Sequence, residues 1–180
     1  MGPGQRRHTG PATTESLVLG PKSYVSPMVV HGSVIIPGDK SITHRALLLG
    51  GLSGGRSTLR GALTSLDAKS TARVLRALGV RIGTLRVGRE VHIVAPGHLV
   101  PPRSPLKCGN SGTTARMGLG VLAAQPFEAV LAGDRSLQRR PMARVTQPLG
   151  EMGGRFTFLG REGCLPIRVL GGEGRLRSIS

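Results

Sequence analysis

Aromatic side chains are nearly missing from this chain: one Tyr, three Phe and no Trp among 180 residues. Nucleic-acid modules that stack bases on rings need several such platforms, so four rings argue against that class of partner. Cysteine is equally scarce, with Cys108 and Cys164 and no C-x-x-C pair, which argues against a disulfide scaffold or a cysteine zinc site. No apolar run approaches the ~20 residues of a membrane span, and the first residues lack the apolar stretch of a signal peptide. These absences predict a cytoplasmic protein with no membrane partner. Acidic residues are also few, 9 against 25 Lys plus Arg, for a net charge of +16. Anionic ligands follow from that balance. What is present in quantity is apolar: 38% hydrophobic residues, enough for a real core in a chain of one domain's length.

Residues 1–27 are rich in Gly, Pro, Ser and Thr without periodicity, and predict a flexible N-terminal tail. Regular patterning starts at Met28. Val29-Val30 and Val34-Ile35-Ile36 predict strand, 41–52 helix, 56–63 strand, and 67–78 helix with Thr71, Val74, Leu75 and Leu78 on one face. Thr64-x-x-Asp67 has the form of a capping box, and Gly79 stands where a helix-terminating glycine belongs. Residues 80–82 and 91–93 predict two strands around a turn at Gly88. The order then recurs: helix 111–124, strand 127–131, a helix 141–152 opening on Pro141, and strands 155–159 and 167–170. Gly38 to Arg45 and Gly109 to Arg116 have the same seven-residue spacing and lie 71 residues apart. The predicted organisation is α+β: a first β-α-β-α-β-β unit at 28–96, a second at 97–171, and the start of a truncated third at 172–180. Gly50, Gly51, Gly118 and Gly120 lie inside predicted helices and are expected to face outward, weakening them.

Three strand-to-helix stretches carry chemistry. In Gly38-Asp39-Lys40-Ser41-Ile42-Thr43-His44-Arg45, a Pro-Gly turn opens a helix whose free N–H groups attract anions. Lys40 adds a point charge, Ser41 a hydroxyl, and Arg45 a planar fork one turn on. Cys108-Gly109-Asn110-Ser111-Gly112-Thr113-Thr114-Ala115-Arg116 puts small residues, hydroxyls and an amide at a second helix start. Gly133 to Pro141 places Arg140 just before a third helix, with Arg135 and Arg139 on solvent. Other patterns fail. Asp39 interrupts the G-K-[ST] of a P-loop, and Gly118-x-Gly120-x-x-Ala123 lies within a helix without a strand before it. Ser41 and His44 share a helix with no orienting acid, the five histidines do not cluster as metal ligands, and Cys108 is a packed residue.

These three stretches resemble, in order, the signatures of the 5-enolpyruvylshikimate-3-phosphate synthase family: G-D-K-S-I-T-H-R-A-L-L-L, G-N-S-G-T-T-A-R and G-D-R-S-L-Q-R-R-P, within 28–180. The resemblance implies an alpha-beta prism fold, of which this chain holds an incomplete first domain. It also implies transfer of the enolpyruvyl group of phosphoenolpyruvate to the 5-hydroxyl of shikimate 3-phosphate, in the pathway to chorismate and aromatic amino acids. No metal or organic cofactor is implied, and the family is usually monomeric. Lys40, Ser41 and Arg45 match its shikimate 3-phosphate contacts, with Lys40 also reaching phosphoenolpyruvate as the catalytic lysine. Asn110, Gly112 and Arg140 match the phosphoenolpyruvate site, and Thr113 and Arg116 its supporting residues. Gly112 matches the glycine of glyphosate-sensitive members. The family's acid–base carboxylates belong to a C-terminal half missing here, so this chain alone is expected to be inactive. Asp39 and Asp134 are expected to be cap or turn residues. The sister family acting on UDP-N-acetylglucosamine has Lys-Asn where this chain has Lys40-Ser41. Two other readings are a non-catalytic remnant or half of a split enzyme, and a basic nucleic-acid-binding protein. Against the second, 21 of the 25 cations are Arg and they are dispersed.

Overall fold

The computed structural model describes residues 36–171 and 176–178. The predicted N-terminal tail, the first predicted strand up to Ile35 and most of the predicted third unit lie outside the described residues. Among the described residues Ile36 has no strand partner, and it is 83% exposed.

Chain order is α1 (Lys40–Leu52), β1 (Gly55–Leu59), α2 (Leu66–Ala77), β2 (Arg81–Ile82), β3 (Val91–Ala95), β4 (Leu106–Lys107), α3 (Gly112–Ala123), β5 (Glu128–Ala132), α4 (Ala143–Glu151), β6 (Arg155–Phe158) and β7 (Ile167–Leu170). A 3-10 turn, Leu137–Arg139, precedes α4. The sheets run β1-β3-β2 and β4-β5-β7-β6. Overlaying the repeats makes β1 the counterpart of β5, β3 of β7 and β2 of β6, so the second sheet repeats the first with β4 added at its edge. The described elements fall within one compact unit that begins at Ile36.

Helix α2 shows why these residues form these elements. Thr71, Val74, Leu75 and Leu78 are buried, as their spacing requires. The helix ends at Gly79, whose φ of +95° needs a residue without Cβ. There the Gly79 N–H donates to Arg76 O and the Val80 N–H to Leu75 O, the paired bonds of a Schellman ending. One core joins the layers: Leu47 of α1, Leu75 of α2, Ile93 of β3, Leu119 of α3, Leu131 of β5 and Ile167 of β7. Each such side chain contributes about 1.5–3 kcal/mol.

Several expectations need correction. The cap of α2 is Ser65, whose Oγ accepts from the Ala68 N–H, and not Thr64 one residue earlier. The strand predicted to reach residue 63 stops at Leu59, because Gly61 turns the chain at φ +64° and the Leu63 N–H goes to Thr43 Oγ1 instead of a ladder. Helix α4 starts at Ala143, not Pro141. Arg140 before the proline is extended (φ −85°, ψ 130°), and the Met142 N–H is donated to Gly163 O. Strand β4 was absent from the sequence reading; two residues are too short to show alternation. Three of the four helix glycines face neighbours, while a Cβ on Gly120 would meet open space as expected. Gly51 and Gly118 are buried, and a Cβ on Gly118 would lie 3.1 Å from Leu131 Cδ2, so they bring helices close to their neighbours. Gly50 and Gly120 are half-buried.

Candidate anion-binding site

Strands β4 and β5 are parallel, with Leu106 opposite Leu131 and Lys107 opposite Ala132. Their following loops therefore leave the sheet at the same edge, where open α/β sheets place ligands. The first loop, Cys108–Ser111, turns into α3. The second, 133–141, folds over it. The Asp134 N–H donates to Gly109 O at 2.9 Å, Asn110 Nδ2 donates to Asp134 Oδ2 at 2.9 Å, and the Leu137 N–H donates to Asp134 Oδ1 at 2.8 Å. Those bonds, the Leu137 amide first and the Asn110 amide second, hold the Asp134 carboxyl below its ordinary range. Asp134 is thus the turn residue expected of it.

Arg140 turns back from the second loop onto the first. Its Nη2 donates to Asn110 Oδ1 at 2.5 Å and its Nη1 to Asn110 O at 3.4 Å. Arg116, one turn into α3, donates from Nη2 to Pro141 O at 3.2 Å. Both guanidinium groups stand over Gly112: a Cβ there would lie 2.6 Å from Arg116 Nη1 and 3.5 Å from Arg140 Nη1. Asn110, Gly112, Arg116 and Arg140 therefore form one cationic, amide-lined cluster at the start of α3. Thr113 is the next residue of that turn and is half-buried. The reading of Arg140 as a group at a third helix start is corrected. Its side chain belongs to the start of α3, and the α4 cap Met142 makes no side-chain capping bond.

The start of α1 is pinned in the same manner by the loop after β1. Asp39 Oδ1 accepts from the Ile42 N–H at 2.7 Å, the cap expected of it. Thr43 Oγ1 donates to Asp39 O at 2.7 Å and accepts from the Leu63 N–H at 3.0 Å. Gly38 lies so close to this loop that a Cβ would overlap the Gly61 carbonyl oxygen. Lys40 projects from this start and pairs with Asp67 in the first turn of α2. Ser41 and Arg45 are exposed and make no side-chain hydrogen bond or ion pair among the described residues.

Buried hydroxyls join the two helix starts. His44 Nδ1 lies 2.6 Å from Thr71 Oγ1, Thr71 Oγ1 2.7 Å from Thr114 Oγ1, and Thr114 Oγ1 2.8 Å from Ser111 Oγ, the cap of α3. Thr114 Oγ1 also reaches Asp67 O at 3.4 Å. The starts of α1, α2 and α3 thus converge, with Lys40 and Asp67 on one side and Gly112 and Arg140 on the other. Among the described residues no hydrogen bond or ion pair ties Ser41 or Arg45 to the α3 cluster. Sequence reasoning missed Asp67 as the partner of Lys40, and Thr71 and Thr114 as links. The signal for Asp67 was an acid in a helix's first turn; the threonines carried only their place on buried faces.

Burial pushes the Cys108 thiol up to about 12, so it is packed and not a nucleophile. Among the described residues no three His, Cys, Asp or Glu side chains group as a metal site, and no helix is long and apolar enough to cross a membrane.

Two sheets of matching strand order, with cations and amides at the starts of α1 and α3, define the class as α+β. Within that class the match is specific. The family model for EPSP synthase (3-phosphoshikimate 1-carboxyvinyltransferase) matches residues 26–180, and the chain belongs to that family. The 3-phosphoshikimate 1-carboxyvinyltransferase of Xanthomonas campestris pv. campestris (strain B100) is 49% identical over 145 residues, which are 80% of this chain and 33% of the relative. That of Xylella fastidiosa (strain 9a5c) is 48% identical over 145 residues, 80% of this chain and 32% of the relative. The structure of EPSP synthase from Acinetobacter baumannii superposes with a TM-score of 0.74 at 40% identity, covering 78% of this chain and 32% of that one. The chain thus spans about a third of the length of the curated relatives it matches.

Proposed function

We propose that this chain carries one wall of an enolpyruvyl-transfer site, and that the whole protein moves the enolpyruvyl group of phosphoenolpyruvate to the 5-hydroxyl of shikimate 3-phosphate, releasing phosphate. The observation that carries the reading is the convergence of Arg140, Asn110 and Gly112 beside the helix start that bears Lys40. Both substrates carry a phosphate and a carboxylate, and bringing two polyanions together requires fixed cations and amides. In this reading Arg140 clamps phosphoenolpyruvate against the Asn110–Gly112 turn, and Arg116 and Thr113 hold that turn in shape. Lys40, Ser41 and Arg45 face shikimate 3-phosphate, and Lys40 leaves Asp67 to reach both ligands. Phosphorylated substrates of this kind are held in the cytoplasm by their charge.

Addition–elimination needs a proton delivered to the methylene carbon and one removed from the attacking hydroxyl. The carboxylates near these helix starts are engaged: Asp39 by the Ile42 N–H, Asp67 by Lys40, and Asp134 by Leu137 and Asn110. The acid–base groups therefore come from the remainder of the protein, and this chain alone binds substrate without turning it over. Phosphate release from phosphoenolpyruvate and shikimate 3-phosphate tests this. The purified chain should match a Lys40→Ala control, and adding the complementary two thirds of the Xanthomonas campestris relative should raise the rate. Steady turnover by the chain alone, well above that control, contradicts the partition of roles.

A further inference from the structure

Among the described residues, one buried side-chain nitrogen or oxygen lacks a hydrogen-bond partner: His44 Nε2. The ring is wholly buried, and the next three members of its chain, Thr71, Thr114 and Ser111, are each exposed by 3% or less. Buried polar groups of this kind are costly unless satisfied, so a four-member chain crossing three helices is a strong constraint on how those helices meet. Its direction follows from counting protons. Thr114 has one hydroxyl proton; it donates to Ser111 Oγ at 2.8 Å, while its 2.7 Å contact with Thr71 Oγ1 by itself fits either direction. Thr71 must then donate to Thr114, and His44 must donate from Nδ1 to Thr71. Nε2 is left as a bare lone pair on a neutral ring. Ser111 Oγ accepts from both the Thr114 hydroxyl and the Thr114 N–H, the latter at 3.2 Å, and its own proton has no acceptor among the described residues.

We propose that His44 is a positioning residue for the anion site: by donating from Nδ1 it orients Thr71, Thr114 and Ser111 in turn, locking the Lys40-bearing helix to the Asn110–Gly112 turn and leaving the Ser111 hydroxyl proton free for a bound phosphate or carboxylate. The proposal rests on the anion-binding reading above. It reaches a ligand only through Ser111 and the neighbouring amides.

The test uses four variants of the full chain. Thr71→Val keeps the side chain's shape and removes both of its links. His44→Leu removes the first donor. His44→Asn restores an N–H near the Nδ1 position. Thr58→Val removes an exposed hydroxyl, bonded to His92, away from the site and serves as the control. Two readouts are taken: the Asn110 and Gly112 amide resonances without ligand, and the dissociation constant for phosphoenolpyruvate. Thr71→Val and His44→Leu should move both amides and weaken binding by about tenfold, the effect of one lost buried hydrogen bond. His44→Asn should stay within about twofold of the parent, as should Thr58→Val. Imidazole nitrogen resonances of the parent should report a neutral ring protonated at Nδ1. Unmoved Asn110 and Gly112 amides in Thr71→Val overturn the proposal, as does His44→Asn behaving like His44→Leu. If the parent does not bind phosphoenolpyruvate, the functional reading fails while the amide shifts still decide the relay. If His44→Leu does not fold, Thr71→Val decides alone.

Discussion

Gly112 sits under two guanidinium groups, and its missing side chain is what lets them lie there. In Gly112→Ala the added carbon would meet Arg116 Nη1 at 2.6 Å, the far end of a flexible side chain. Arg116 can swing off Pro141, so the fold should survive with a melting temperature within a few degrees of the parent, while phosphoenolpyruvate affinity falls several-fold. Thermal melts and a titration check both; unchanged affinity would remove Gly112 from the site. A whole protein with this glycine should also be inhibited by glyphosate. His44 makes a second residue-scale prediction. Burial holds its imidazole below the ordinary value of about 6.5, with the Asp67 carboxylate opposing and Lys40 assisting. The unfolded chain then binds a proton that the folded chain refuses, so stability is lost as pH falls below about 6.5 and the loss levels off below the folded value. Urea midpoints at about pH 7.5 and about pH 5 should show a steeper decline for the parent than for His44→Asn. Residue types at the three motifs were legible because cations, small residues and amides at helix starts have few other uses. The pairings were not. That Lys40 meets Asp67, or that Thr71 meets Thr114, depends on how separate helices pack, which no local pattern states.

At the scale of elements, each half of the site is a helix-opening turn held by the loop after the next strand. Gly38 packs on Gly61–Leu63, and Gly109 bonds to Asp134. Gly38→Ala would overlap the Gly61 carbonyl oxygen and should cost about 1–3 kcal/mol by forcing that loop away. Asp39→Ala, which removes only the cap bond to Ile42, should cost about 1 kcal/mol. Denaturant unfolding orders the two; equal losses would mean that the loop contact does not position α1. Helix α2 was readable from its apolar periodicity, although its cap fell on Ser65 and not Thr64. Helix α4 was misplaced by two residues because proline at a first position is a common start, and here the extended Arg140 and the Gly163 carbonyl override it. Gly50, Gly51 and Gly118 were misjudged because propensity prices a glycine as a loss unless a neighbour is known to need the space.

For the molecule as a whole, two sheets of matching strand order put two pinned helix starts at the α1–α2–α3 junction, one with a lysine paired to Asp67 and one with an arginine over amides. The repeat was visible as the 71-residue spacing of the two glycine-to-arginine stretches. The order β4-β5-β7-β6 and the parallel β4 were not, since a two-residue edge strand leaves no pattern. The most direct test is a titration of the chain with phosphoenolpyruvate, followed by phosphorus resonance, for the parent, Arg140→Ala and Lys40→Ala. Each variant should bind about tenfold to a hundredfold more weakly, the range for one charge-assisted hydrogen bond. Equal affinities across all three chains would contradict a shared anion site at these helix starts.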